Sequence, residues 1–208
     1  METVLQVCLY FYFFALTHSI LVADKTKLIV RKIIGHALMQ RYYRFFFTII
    51  SVITLLIVTF KIHNLPDYEI IQLPIPIKII FIALQGTGIL LLFYAGQNFN
   101  LFEFLGLKQL IGPSYDNDSD IEGLRKIELI KTGAYRIVRH PMYLAGILIF
   151  TFNPYITQNS LTITILADSY LIFGAYIESK RYVKQYGQEY IKYSQEVPMI
   201  MPNLLTRK

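Results

Sequence analysis

The chain contains no tryptophan and a single cysteine, Cys8, which lies within an apolar run. One thiol excludes an internal disulfide and any zinc site built from thiolates, so Cys8 reads as a small hydrophobe. The four histidines, His18, His36, His63 and His140, include no pair three or four residues apart. A metal site of helically spaced imidazoles is therefore not expected. No G-x-G-x-x-G run is present, which argues against a conventional soluble methyl- or nucleotide-cofactor domain. Charge is scarce, at 16% of residues, and acid is scarcer than base: 14 Asp and Glu stand against 20 Lys and Arg, a net charge of +6. No internal repeat or low-complexity tract is evident.

Apolar side chains take up the space. Hydrophobic residues make up 54% of 208 positions, and mean hydropathy is +0.44. Soluble domains do not carry this much apolar content with so little charge. Five segments span or nearly span a bilayer: 4–23, 45–62, 77–96, 142–155 and 161–177. The last two are short for a crossing of ~20 residues. The brief link 156–160 suggests that they form a tight helical hairpin, its first helix extending inward through the residues before Met142. Segment 4–23 follows Glu2 without a basic n-region, and reads as a retained helix rather than a cleaved leader.

The basic residues give these segments a direction. Lys25, Lys27, Arg31, Lys32, Arg41 and Arg44 lie between the first and second; Lys108, Arg125, Lys126, Lys131, Arg136 and Arg139 lie between the third and fourth. Lys180, Arg181, Lys184, Lys192, Arg207 and Lys208 follow the fifth, and only Lys61 and Lys78 flank the link between the second and third. Five crossings with the N-terminus outside and the C-terminus cytoplasmic put nearly all of this charge inside, in a bacterial inner membrane by preference. The same placement points to anionic lipid, not nucleic acid, as the partner of the net charge. The expected fold is all-α: an integral membrane bundle of about five transmembrane helices with a C-terminal interfacial helical tail. It reads as one membrane domain with three N-terminal spans (1–97), a cytoplasmic loop (98–140), the hairpin (141–177) and the tail (178–208). Within the loop, 112–123 is rich in Ser, Asp and Asn and reads as mobile, and 124–138 has enough apolar positions to lie at the interface.

Two polar clusters carry the chemistry. The first is Tyr135, Arg139, His140, Pro141 and Tyr143, at the mouth of the fourth segment. Charged groups at a helix entrance in a bilayer usually bind something. Pro141 suits the first helical position, which puts His140 near the N-cap and Tyr143 on the same face. An arginine beside a helix N-terminus attracts carboxylates. Each residue alone has a plain reading, as a positive-inside anchor, an N-cap and an interfacial aromatic; their combination in this register favours a site. The second cluster is Glu178, directly after the fifth segment, with Tyr186, Gly187 and Tyr190 beyond it. A hairpin returns Glu178 to the face of Arg139 and His140, where a carboxylate can hold an ammonium or ribose hydroxyls, or orient a nucleophile. Asp168 and His18, inside segments, read as bundle-facing hydrogen-bonding groups.

The block Thr132-Gly133-x-Tyr135-Arg136-x-Val138-Arg139-His140-Pro141-x-Tyr143-x-x-Gly146 resembles the isoprenylcysteine carboxyl methyltransferase and phospholipid methyltransferase superfamily, as does Glu178 followed by Tyr186-Gly187-x-x-Tyr190-x-x-Tyr193, Val197-Pro198 and Pro202. The N-terminal half is similar, more narrowly, to the NnrU-like branch that includes methanethiol S-methyltransferases, through Thr17-His18-Ser19, Lys27, Tyr43-Arg44 and 104–109. The resemblance implies S-adenosyl-L-methionine as cofactor, with Tyr135, Arg139, His140, Tyr143 and Glu178 lining its pocket and His140 and Glu178 as the catalytic pair. It implies a small or lipophilic methyl acceptor. A thiol is favoured, then a prenylcysteine carboxylate, then a phospholipid amine. Many relatives carry two adjacent acids where this chain has Glu178-Ser179, and no role is assigned to Ser179. The reading of another class is a non-catalytic membrane assembly or transport component. A sterol or quinone reductase would need a nicotinamide motif, which is not visible.

Overall fold

The computed structural model describes residues 2–111 and 129–202. The expected loop at 112–123, the start of the interfacial stretch after it, and Arg207 and Lys208 lie outside the described residues. The chain is helical, with helices α1 (Glu2–Val22), α2 (Asp24–Ile34), α3 (His36–His63), α4 (Ile75–Gly96), α5 (Leu101–Phe104), α6 (Leu107–Ile111), α7 (Pro141–Thr151), α8 (Gln158–Tyr186) and α9 (Gln188–Glu196). Two short strands, β1 (Glu69–Ile71) and β2 (Ile156–Thr157), pair antiparallel. Helices α1, α3, α4 and α8 are long and apolar enough to cross a bilayer, and α7 is apolar but shorter. Leu16, Leu56, Phe60, Leu90 and Phe93 are each more than three-fifths exposed. Such side chains are tolerable only against lipid. The protein is an all-α, multi-pass membrane protein, and its residues fall into two compact units, 1–8 with 66–98 and 128–208, and 9–65 with 99–127.

In the first unit α4 packs on α7, and α7 on α8, through small residues. A Cβ at Gly88 would stand 2.9 Å from both the Ala145 carbonyl oxygen and Leu148 Cβ. Ala95, Ala145, Ala167 and Ala175 are buried. In lipid there is no hydrophobic drive between helices, so close backbone approach supplies the dispersion energy that holds them. Gln85 spends its amide on the Ile149 carbonyl oxygen at 2.9 Å, and Phe81 meets Phe152 edge to face at 5.4 Å.

The eleven residues of α7 rise only ~16 Å, about half the hydrocarbon thickness. Two prolines set that length. Pro141 occupies the first helical position, so the helix does not extend inward as the sequence suggested. Pro154 lacks an N–H and disfavours helix at Asn153, whose side-chain oxygen accepts instead from the Tyr155 N–H at 3.0 Å. The helix therefore stops short of residue 155, and a turn with two bends leads on to the short strand Ile156–Thr157. This strand, β2, is paired with β1 from the α3–α4 link. There Asp67 Oδ1 accepts from the Asn159 N–H at 3.0 Å, and Asn159 Nδ2 donates to the Pro66 carbonyl oxygen.

Helix α8 opens on a reciprocal cap between Thr157 and Ser160. Its 29 residues rise ~43 Å, more than the hydrocarbon needs. The expected boundary after residue 177 does not exist: nothing between Leu161 and Tyr186 breaks a helix, so Glu178, Ser179, Tyr182 and Tyr186 ride on the same rod. Gly187, at φ +60°, ends it. Inside the membrane-spanning part, Asp168 accepts from Thr151 Oγ1 at 2.6 Å, the interhelical bond expected of it.

The second unit gathers the N-terminal motif residues. Arg44 Nε donates to the Phe104 carbonyl oxygen at 2.7 Å, and its guanidinium lies 4.7 Å from the Phe104 ring centre. Gly106, at φ +82°, sits so tightly under the Arg44–Phe45 backbone that any Cβ would collide with it. Tyr43 donates to the Leu21 carbonyl oxygen at 2.6 Å, and His18 hydrogen-bonds Ser51 at 3.2 Å between the Phe14 and Phe47 rings.

Gly88→Leu forces α4 away from the α7 backbone and is expected to destabilise the protein by ~1–3 kcal/mol. Gly86→Ala, where an added Cβ meets nothing within 4 Å, leaves stability unchanged or slightly raised. Thermal unfolding of the two variants in detergent checks the contrast.

Candidate functional site

The site starts at a turn. Residues Gly133–Arg136 form one 3₁₀ turn, opened by Gly133 at φ +59°, where a Cβ would press on the Asn98 side chain at 3.3 Å. The chain then runs extended into Pro141. Its backbone is held there by the segment after α9: the Arg139 N–H donates to the Pro198 carbonyl oxygen at 2.8 Å, and the His140 N–H to that of Met199 at 3.1 Å. Pro198 stops α9 and leaves its own carbonyl free to accept. His140 is the N-cap residue of α7, yet its side chain caps nothing. The imidazole, 3% exposed, turns toward α8.

Four neighbours surround it. His140 Nδ1 lies 3.1 Å from Glu178 Oε2, and Nε2 lies 2.7 Å from Ser179 Oγ. The Tyr182 ring stacks parallel to it at 6.1 Å, and Tyr143 meets it edge to face at 5.5 Å. A Cβ at Gly174 would come within 3.0 Å of the Tyr143 ring, so that glycine makes the space in which Tyr143 stands. Glu178 accepts a second hydrogen bond, from Tyr182 Oη at 2.9 Å, and Arg181 stands 3.8 Å away.

A further link joins the two clusters. Arg139 Nη1 donates to Tyr190 Oη at 3.1 Å, and Tyr190 Oη donates to Ser179 Oγ at 3.0 Å. The two ends limit how the protons are placed. An arginine only donates, so Tyr190 accepts there and donates to Ser179. Ser179 can in turn give its own proton to His140 Nε2, and in that tautomer Nδ1 carries the ring proton and donates to Glu178. Five side chains thus form one chain of hydrogen bonds, from a cation to a carboxylate.

Tyr190 is 2% exposed, and its ring also lies 5.5 Å from the Arg139 guanidinium carbon. The guanidinium has no carboxylate partner among the described residues, and its Nε is buried without a hydrogen bond. Tyr193 donates to the Tyr135 carbonyl oxygen, tying α9 to the turn. Burial, then Tyr190, pushes the Tyr193 hydroxyl up to about 12, so it stays a donor. Burial, followed by the negative charge of Glu178, raises the Tyr135 hydroxyl as well.

The structure therefore brings Arg139, His140, Tyr143 and Glu178 together, with Tyr135 on the flank. It adds Ser179 and Tyr182, to which the sequence gave no part in the chemistry, and it places Tyr190, named with the second cluster, between Arg139 and Ser179. Tyr182 was findable, since it stands one helical turn beyond Glu178. Ser179 was not, because a serine after a glutamate carries no signal until its neighbours are known.

The site is walled by aromatic rings and lies toward the C-terminal end of the last long apolar helix, a setting able to hold a polar or charged group. A family model described as NnrU protein matches residues 6–190, and the chain belongs to that family. It is 33% identical over 117 residues to a methanethiol S-methyltransferase of a Pseudomonas species, covering 56% of this chain and 42% of that protein. It is 29% identical over 126 residues to a methanethiol S-methyltransferase of Crocosphaera subtropica, covering 60% and 47%. To methanethiol S-methyltransferase 1 of Bradyrhizobium diazoefficiens it is 24% identical over 191 residues, covering 91% and 63%. The chain thus spans 42% to 63% of the length of these curated relatives. No solved structure matches it.

Tyr190→Phe removes both the acceptor of Arg139 and the donor to Ser179. It is expected to lower stability by ~1–3 kcal/mol, the usual cost of stranding a buried, partly charged hydrogen-bond pair. An unchanged unfolding temperature in detergent would show that the hydroxyl is not the link.

Proposed function

We propose that the protein is an integral-membrane methyltransferase that uses S-adenosyl-L-methionine to methylate a small thiol. The observation that carries this reading is the state of Arg139: a partly buried guanidinium with an unused Nε and, among the described residues, no acid beside it, next to the Tyr190 ring. A carboxylate is the natural ligand of such a group, and aromatic faces are the natural neighbours of an onium cation. The amino-acid end and the sulfonium of that cofactor meet both requirements. The names of the relatives favour a thiol as the acceptor.

Bound S-adenosyl-L-methionine supplies an electrophilic methyl group on a positively charged sulfur. Arg139 holds the carboxylate, and Tyr143 and Tyr182 present ring faces or edges near His140. The Pro198–Met199 segment fixes Arg139 and His140 by their backbones, so the site keeps its geometry without help from a ligand. The cofactor would supply that methyl group to a thiolate that the site holds in line with it. Charge disappears in that step, so a site shielded from water favours it. Entry from the bilayer suits a small apolar thiol. The distribution of lysine and arginine favours a cytoplasmic site, with the N-terminus outside, in a bacterial inner membrane.

Membranes containing the wild-type chain are expected to transfer label from methyl-labelled S-adenosyl-L-methionine to methanethiol, and less to a prenylcysteine analogue or an amine lipid. Arg139→Ala and His140→Ala abolish transfer while the protein still inserts. Wild-type turnover in both variants defeats the assignment.

A further inference from the structure

We propose that Ser179 is the group that takes the proton from the thiol, passing its own to His140. This rests on the methyltransferase reading above. His140 is the obvious base, but it cannot reach a substrate: it is 3% exposed, and both ring nitrogens are engaged. Ser179 is only half-buried. A hydroxyl has one proton and two lone pairs. Ser179 Oγ lies 2.7 Å from His140 Nε2 and accepts from Tyr190 Oη, so in the relay its proton goes to His140 Nε2 while one lone pair is taken by Tyr190. The second lone pair has no partner among the described residues and is where an S–H donates.

The step balances without any added reagent. The S–H bond breaks and an O–H bond forms at Ser179 Oγ, while the original O–H bond breaks and an N–H bond forms at His140 Nε2. The resulting imidazolium is held through its Nδ1–H by Glu178, 22% exposed at its side chain, from whose edge the proton leaves to water. The sulfur keeps its electron pair, which makes the bond to the methyl carbon. Tyr190, charged up by Arg139 behind it, steadies Ser179 as its proton moves. An acceptor that arrives already ionised needs none of this, so the arrangement selects for thiols that are protonated at working pH.

The test uses the full chain in proteoliposomes and a series of small thiols, from alkyl thiols, mostly protonated at neutral pH, to aryl thiols, mostly ionised. Ser179→Ala is expected to lose ~100-fold in kcat/KM with the alkyl thiols, the usual size of general-base assistance, and little with the aryl thiols. Ser179→Thr keeps the hydroxyl and restores most of the alkyl-thiol rate. In nitrogen-15 NMR of histidine-labelled protein, without any substrate, His140 shows its proton on Nδ1, and the Nε2 resonance moves in Ser179→Ala. An equal loss across the thiol series, or a proton on Nε2 in the wild type, overturns the relay alone. A wild-type protein that methylates none of the thiols overturns the function and the relay with it.

Discussion

The hydrogen-bond chain from Arg139 through Tyr190, Ser179 and His140 to Glu178 is the interaction on which the rest of this site depends. It lies at the end of apolar helices, where water is scarce and an unpaired polar group costs several times what it costs in solution. A charged arginine and a charged glutamate could answer that cost by pairing directly. Here three neutral groups stand between them, each able to accept on one side and donate on the other. The direction of the protons is then limited by the two ends, because arginine can only donate and an ionised carboxylate can only accept.

That requirement explains features of the fold that propensity does not. Helix α8 is longer than the hydrocarbon needs by about two turns, and its C-terminal turns carry Glu178, Ser179 and Tyr182. Helix α9 folds back after Gly187 so that Tyr190 can stand between Arg139 and Ser179. The segment beyond it closes the arrangement through backbone bonds from residues 139 and 140. Helix α7 contributes a well-placed N-terminus more than a crossing, and its short length follows from Pro141 and Pro154. The small residues along α4, α7 and α8 then set the distance at which these ends meet, Gly174 most directly, because it leaves room for Tyr143.

Much of this was legible in the sequence for simple reasons. Long apolar runs declare themselves, and the Arg139-His140-Pro141-x-Tyr143 block has few structural uses at a helix mouth. The return of Glu178 to His140 followed from two adjacent segments joined by a short link. The failures have physical causes too. The end of a spanning segment was placed where hydropathy fell, at residue 177, although a helix continues until something breaks it. The end of α7 was placed too late, at residue 155, because the aromatic Phe152 and Tyr155 flank Asn153 and Pro154. Ser179 became visible only as a partner, and the contacts of Tyr182 and Tyr190 likewise, since a hydroxyl gives no sign of which group it will face. The contacts of Tyr43, Arg44 and Gly106 show the same limit: the motif residues were noticeable, but not that Gly106 must be small because the Arg44–Phe45 backbone lies on it.

The serine at 179 also decides what the imidazole can be. A carboxylate in its place could only accept, from His140 and from Tyr190 alike. Both nitrogens of His140 would then have to donate, which only an imidazolium can do, and the ring would be a fixed cation between two acids. A hydroxyl there can donate, so one nitrogen of His140 is able to act as an acceptor. The same scaffold thus yields either a static charge or a base, according to whether one side chain on α8 can donate. In this chain it can, and the residue that makes the difference is the one that faces partly outward.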